Sequence, residues 1–152
     1  MSTFSGTQIH KVDTKGRLSV PAKYRAHIQA QGSAEVVLFA STEEAYPAIF
    51  GFPPRLMDQL SRNQREMKGL SPEAAMLMSD VFAEAYELAF DDAGRIVLPK
   101  LLIAFGGIDG QAEIVGQGQH FEIWKPGGFR EHRRNRLDSV LRQLFVDIAE
   151  KL

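Results

Sequence analysis

The sequence predicts an α+β, β-rich protein in which two tandem repeats form an interlocked, barrel-like core about a pseudo-twofold axis, with a helical insert and a C-terminal helix. Three observations predict it. The pattern Asp-x-x-Gly-Arg, three residues, then Pro occurs twice, in "DTKGRLSVP" (Asp13–Pro21) and "DDAGRIVLP" (Asp91–Pro99). At ordinary residue frequencies an accidental second copy in register is on the order of a one-in-a-thousand event. The likeness also continues past the motif at a constant offset: Leu18 matches Ile96, Val20 matches Leu98, and "AEVV" (34–37) matches "AEIV" (112–115). Finally, each copy spans about 45 residues with some four short strands and one small helix, too little to bury a core alone.

Thr7 to Val12 is the first expected strand, and "DTKG" turns it back on itself. Gly16 supplies the positive φ of a tight turn, and Asp13 can accept hydrogen bonds from the turn's amides. "RLSVP" is the return strand, with Leu18 and Val20 on one face by two-residue periodicity. Pro21 ends it, and "AKYRAHIQAQG" fits a short helix closed by Gly32. "AEVVLFA" and Ala48–Phe52 are strands on either side of a polar loop that carries Glu43 and Glu44. In the insert, Leu56, Leu60, Gln64 and Met67 share a helical face. A second insert helix starts at "SPE", with Ser71 as N-cap, Pro72 in the first position and Glu73 in the first turn. "YELAF" then opens the second repeat, which runs to Trp124. Phe129–Leu152 is an amphipathic helix on the spacing of Leu137, Val140, Leu141, Leu144, Phe145, Ile148 and Leu152. The resulting divisions are 7–54, an insert over 55–82, 83–126, and a C-terminal helix over 127–152.

Composition narrows the function. The 152 residues carry 44% hydrophobic and 24% charged side chains and a net charge of −1, which rules out a uniformly basic nucleic-acid binder. No apolar run is long enough to span a bilayer, and the N-terminus lacks a signal pattern, so a cytoplasmic location and no membrane partner are expected. With no cysteine, thiolate chemistry and disulfides are excluded. The four histidines, His10, His27, His120 and His132, lack metal-ligand spacing, so no metal and no cofactor are assigned.

Charge distribution matters more than the sum. Lys11, Lys15, Arg17, Lys23 and Arg25 fall within one stretch against a single acid, Asp13. Lysine supplies a point charge to an anion, while arginine can be bidentate to phosphate or guanine. These five are the candidate contacts to an anionic partner such as DNA. The alternative is a plain β-turn in which Asp13 caps the bend and pairs with Arg17, with Lys23 and Arg25 on a solvated helix face. The second turn carries Asp91 and Asp92 against Arg95, so duplex DNA would be repelled there. Asp13, Gly16, Asp91, Gly94 and Arg95 are therefore expected to build the bends, with Arg95 paired to Asp91, Asp92 or a neighbouring protomer. Arg130, Arg133, Arg134 and Arg136 are expected on a solvated face. Phe52 and Trp124 hold equivalent repeat positions, which favours core packing over base stacking.

The doubled "VDTKGRLSVP" and "FDDAGRIVLP", joined by a helical insert, resemble the MraZ family, built from two tandem SpoVT-AbrB domains. The likeness covers roughly Phe4 to Trp124. It implies two AbrB-like repeats and a bacterial, nucleoid-associated, DNA-binding transcription regulator of the division and cell-wall gene cluster that includes its own gene. It further implies a ring-like homo-oligomer that binds direct repeats in double-stranded DNA. The family's Asp-x-x-x-Arg signature falls on Asp13/Arg17 and Asp91/Arg95. The sequence departs from the family after the second motif, where "PKLLIAFGGI" lacks the cations that follow Pro21, and in the preceding acidic helix. Two other classes compete. An AbrB-like antitoxin or an oligomeric scaffold would use the C-terminal helix, whose regular apolar stripe fits packing on its own domain or a neighbour. A self-processing enzyme of related shape would need a reactive Gly-Ser bond, and Gly32–Ser33 is accounted for as the loop that ends a helix.

Overall fold

The central strands are largely apolar runs, as in "VVLFA" (36–40) and "IFGF" (49–52), and the strands pair across the two halves of the chain more than within them. The computed structural model describes residues 3–41, 45–66, 71–133 and 137–151. In order these form β1 (Thr7–Lys11), β2 (Arg17–Ser19), α1 (Ala22–Ala30), β3 (Glu35–Ala40), β4 (Ile49–Phe52), α2 (Pro54–Glu66) and α3 (Pro72–Glu84). There follow β5 (Tyr86–Ala89), β6 (Arg95–Val97), α4 (Lys100–Gly106), β7 (Gln111–Gly116), β8 (Phe121–Trp124), α5 (Gly128–Arg133) and α6 (Leu137–Lys151). Glu43, Glu44, Met67, Arg134, Arg136 and Leu152 lie outside the described residues.

The protein is a strand-rich α+β fold with one six-stranded antiparallel sheet, ordered β1-β7-β8-β4-β3-β5, and a separate ribbon of β2 and β6. Exchanging β1 with β5, β3 with β7 and β4 with β8 returns the same order read backwards. Thus β1 borders β7 and β5 borders β3, each half's first strand lying on the other half's third. The two junctions differ by a two-residue slip. Thr7 faces Val115, and the 78-residue offset between Asp13 and Asp91 would carry that pair to 85 and 37, yet Val37 faces Glu87. A slip of two leaves the inward set inward, because side chains alternate with period two. Among the described residues no pairing joins the end strands β1 and β5.

One face of the sheet and the inward side of the ribbon share a core. Leu18 and Ile96 from the ribbon meet Val36, Leu38, Ile49, Ile114 and Ile123 of the sheet, closed by Tyr24 and Ile28 of α1 and Leu102 of α4. Burying each such aliphatic side chain contributes about 1.5–3 kcal/mol. Phe4 seals one end, edge-on to Tyr24 at 5.0 Å, while the Tyr24 hydroxyl donates to the Ser5 and Gly6 carbonyls at 3.1 and 3.2 Å. Gly51 is required because a Cβ there would overlap the Phe121 ring. On the other face Ala48, Val115 and Trp124 form a smaller cluster with Tyr46 and Phe129. Phe52 and Trp124 are both buried, as expected of core positions.

Candidate nucleic-acid interface

Asp13 builds the first turn through both of its carboxylate oxygens. Its Oδ1 accepts from the backbone N–H of Lys15 at 3.0 Å and of Arg17 at 2.9 Å, and its Oδ2 pairs with Arg17 Nε at 2.5 Å. Its carbonyl accepts from Gly16, whose φ of 80° only glycine adopts freely. Asp91 repeats this bond for bond. Oδ1 accepts from Ala93 and Arg95 N–H at 2.9 Å each, Oδ2 pairs with Arg95 Nε at 2.9 Å, and Gly94 has φ 77°. The Arg17 backbone N–H above all, helped by its guanidinium and the Lys15 N–H, holds the Asp13 carboxyl below its ordinary value. Arg95 and Ala93 do the same for Asp91. The expected Asp–Arg pairing is thus present in both turns, and any division of labour between them rests on charge, not on turn geometry.

The ribbon places the two turns at its opposite ends. Arg17 faces Val97, Leu18 faces Ile96 and Ser19 faces Arg95. Reciprocal bonds close it, Val20 N–H to the Gly94 carbonyl at 3.2 Å and Leu98 N–H to the Gly16 carbonyl at 2.8 Å. Leu18 and Ile96 point into the core, so the other side presents Arg17, Ser19, Arg95 and Val97. Arg17 and Arg95 are diagonal neighbours there, about 7–8 Å apart by strand geometry. Each spends Nε on its aspartate, and among the described residues no protein acceptor takes the terminal guanidinium nitrogens. Both side chains are 35% exposed. They can therefore offer a planar pair of donors outward while staying anchored at the base.

The other expected contacts divide. Lys11, at the end of β1, and Lys15, in the turn that Asp13 closes, are both exposed. Lys23 is exposed on α1 with its Nζ 5.7 Å from the Tyr24 ring centre. Arg25 makes its contacts at the second turn: its Nε donates to the Val20 carbonyl at 3.1 Å, and its guanidinium lies against Gly94. The cause is the antiparallel ribbon, which brings the chain leaving β2 alongside the end of the second turn. Sequence proximity put Arg25 with the first turn, but strand pairing puts it with the second. Of the C-terminal arginines, Arg130 is exposed and Arg133 lies over the Phe129 ring at 4.7 Å.

Sequence reasoning missed Glu122. It is 3% exposed, and its Oε1 accepts from both the Tyr46 hydroxyl and Trp124 Nε1 at 2.8 Å, with His120 Nε2 3.4 Å from Oε2. Burial opposes ionisation, but the donors from His120, Trp124 and Tyr46 outweigh it and keep the carboxyl below its ordinary value. Among the described residues no three His, Asp or Glu side chains gather in a way that could hold a metal ion, and no helix is long and apolar enough to cross a membrane.

The chain matches the family model described as "MraZ protein", which carries an antitoxin-like designation, over residues 3–78 and 81–140. It is 37% identical over 129 residues to a protein of Parvibaculum lavamentivorans named "Transcriptional regulator MraZ", covering 85% of this chain and 80% of that one. A protein of the same name from Rhodospirillum rubrum is 37% identical over 138 residues, covering 88% and 86%. A third, from Gluconacetobacter diazotrophicus, is 32% identical over 145 residues, covering 95% and 91%.

Proposed function

The chain belongs to the MraZ family, and from that premise we propose that it is a transcription regulator that binds double-stranded DNA through its first Asp-x-x-Gly-Arg turn. The observation that carries the reading is the state of Arg17. Its base is fixed by Asp13 and its outer nitrogens have no protein acceptor among the described residues, and Lys11 and Lys15, near it in the chain, are exposed. A cation held in place but unsatisfied at its tip is preorganised for phosphate or a guanine edge. The second turn shares the bend but carries Asp91 and Asp92, both exposed, which disfavours close approach of phosphate.

One such turn supplies few contacts, whereas specific binding needs several phosphate contacts together with base contacts. A ring-like homo-oligomer provides them by effective concentration, and protomers arranged head to tail match direct repeats in the DNA. The reading therefore includes a nucleoid-associated oligomer acting on direct repeats upstream of its own gene, within the division and cell-wall cluster. The reciprocal strand pairing supports an interlocked, pseudo-twofold pair of AbrB-like repeats over 7–54 and 83–126, with 55–82 as insert and 127–152 as C-terminal helix.

The test is titration of the DNA upstream of the protein's own gene, with the mass of the free oligomer measured alongside. Arg17→Ala should abolish binding and leave the oligomer intact, and each phosphate contact should add about 0.9 to the slope of log affinity against log salt. Wild-type affinity in Arg17→Ala would exclude this turn as the contact.

A further inference from the structure

We propose that Arg25, supplied by the first half of the chain, is a positioning residue for the second turn, and that its work there is to cover Gly94 rather than to carry charge. Three contacts close on one another. Arg25 Nε donates to the Val20 carbonyl, Val20 N–H donates to the Gly94 carbonyl, and the guanidinium lies on Gly94 so closely that a Cβ there would stand 2.6 Å from both Nε and Nη1. Gly94 is buried despite lying in a turn, and Arg25 is part of its cover. Gly94 directly precedes Arg95, whose backbone N–H and Nε are both tied to Asp91. Fixing Gly94 therefore fixes the point from which the Arg95 side chain departs.

The other end of the ribbon shows which property of Arg25 matters. By the 78-residue offset, position 25 corresponds to 103, and Ile103 occupies the equivalent place over Gly16, its Cδ1 3.5 Å from where a Cβ would lie. Each half thus caps the glycine turn of the other, once with arginine and once with isoleucine. An aliphatic side chain serves at one end with the same turn geometry, so cover is the shared requirement. The sequence conceals this because Arg25 and Gly94 are far apart in the chain and meet only through the ribbon.

Amide hydrogen exchange on the full-length protein tests the assignment without reference to DNA, so its outcome is separate from that of the DNA-binding reading. In Arg25→Ala the amides of Ala93, Gly94 and Arg95 should exchange roughly tenfold faster, while those of Lys15, Gly16 and Arg17 keep their wild-type rates. Arg25→Ile, which places at the second turn the side chain used at the first, should return the second-turn amides to within about twofold of wild type. Equal acceleration at both turns would mean general destabilisation and would overturn the assignment. So would unchanged second-turn rates in Arg25→Ala, or an Arg25→Ile protein exchanging as fast as Arg25→Ala.

Discussion

Replacing Glu122 tests how this fold tolerates a buried charge. The carboxylate is nearly inaccessible, and a single oxygen, Oε1, accepts from both the Tyr46 hydroxyl and Trp124 Nε1 at 2.8 Å. Glu122→Ala leaves two donors without an acceptor, at about 1–3 kcal/mol each, so a total loss of about 2–6 kcal/mol is expected. Glu122→Gln keeps an oxygen for both donors and loses only the charge assistance, about 1–2 kcal/mol. The pH dependence distinguishes charge from packing. The folded-state pKa is lowered, so the carboxylate's contribution is complete above the unfolded value of about 4.3 and is lost as pH falls through the folded value. The gap between wild type and Glu122→Gln should therefore be full at neutral pH and close under acid. Urea unfolding followed by tryptophan fluorescence is the assay, because Trp124 is the chain's single tryptophan and is itself a donor to Glu122. A Glu122→Ala unfolding free energy within about 0.5 kcal/mol of wild type, or a Gln gap that widens in acid, would refute the reasoning.

Leu18→Ala removes a fully buried side chain where the two halves meet. It should cost about 2–5 kcal/mol in urea unfolding, and Ile96→Ala should cost a similar amount. Gly16→Ala forces a side chain into φ 80° with the Leu98 carbonyl oxygen 3.0 Å from the new Cβ, a loss of about 1–3 kcal/mol readable as a lower melting temperature. Gly51→Ala drives a methyl into the Phe121 ring and should destabilise by about 1–3 kcal/mol, with the Phe121 ring resonances displaced in NMR spectra.

The turns were legible in the sequence because their chemistry is local. Asp13 and Gly16 must lie within a few residues of the bonds they make, so motif and geometry coincide. The inward set was legible as well, since period-two alternation marks Leu18, Val20, Ile96 and Leu98 whatever strand lies beside them. Partnership was not legible. Alternation states which face a residue takes but not which strand it meets, so the placing of Arg25 on the second turn was hidden. Glu122 was hidden for a related reason. Its alternation with Phe121 and Ile123 marks an outward position, and it is buried because Tyr46 and the other residues of the second cluster cover that face. A tryptophan two residues along on the same face was the available signal.

The exchange of first strands also governs when the molecule can be completed. β1 leaves the ribosome well before its partner β7, which comes about a hundred residues later, as the Thr7–Val115 pair records. Loop closure over that distance is slow and opposed by chain entropy. Until β7 arrives, the nascent first half holds β1 without its ladder, with Ile9 and its neighbours open to other chains. The β1–β7 pairing thus makes the sheet a late product of synthesis, completed only once the second half of the chain is available.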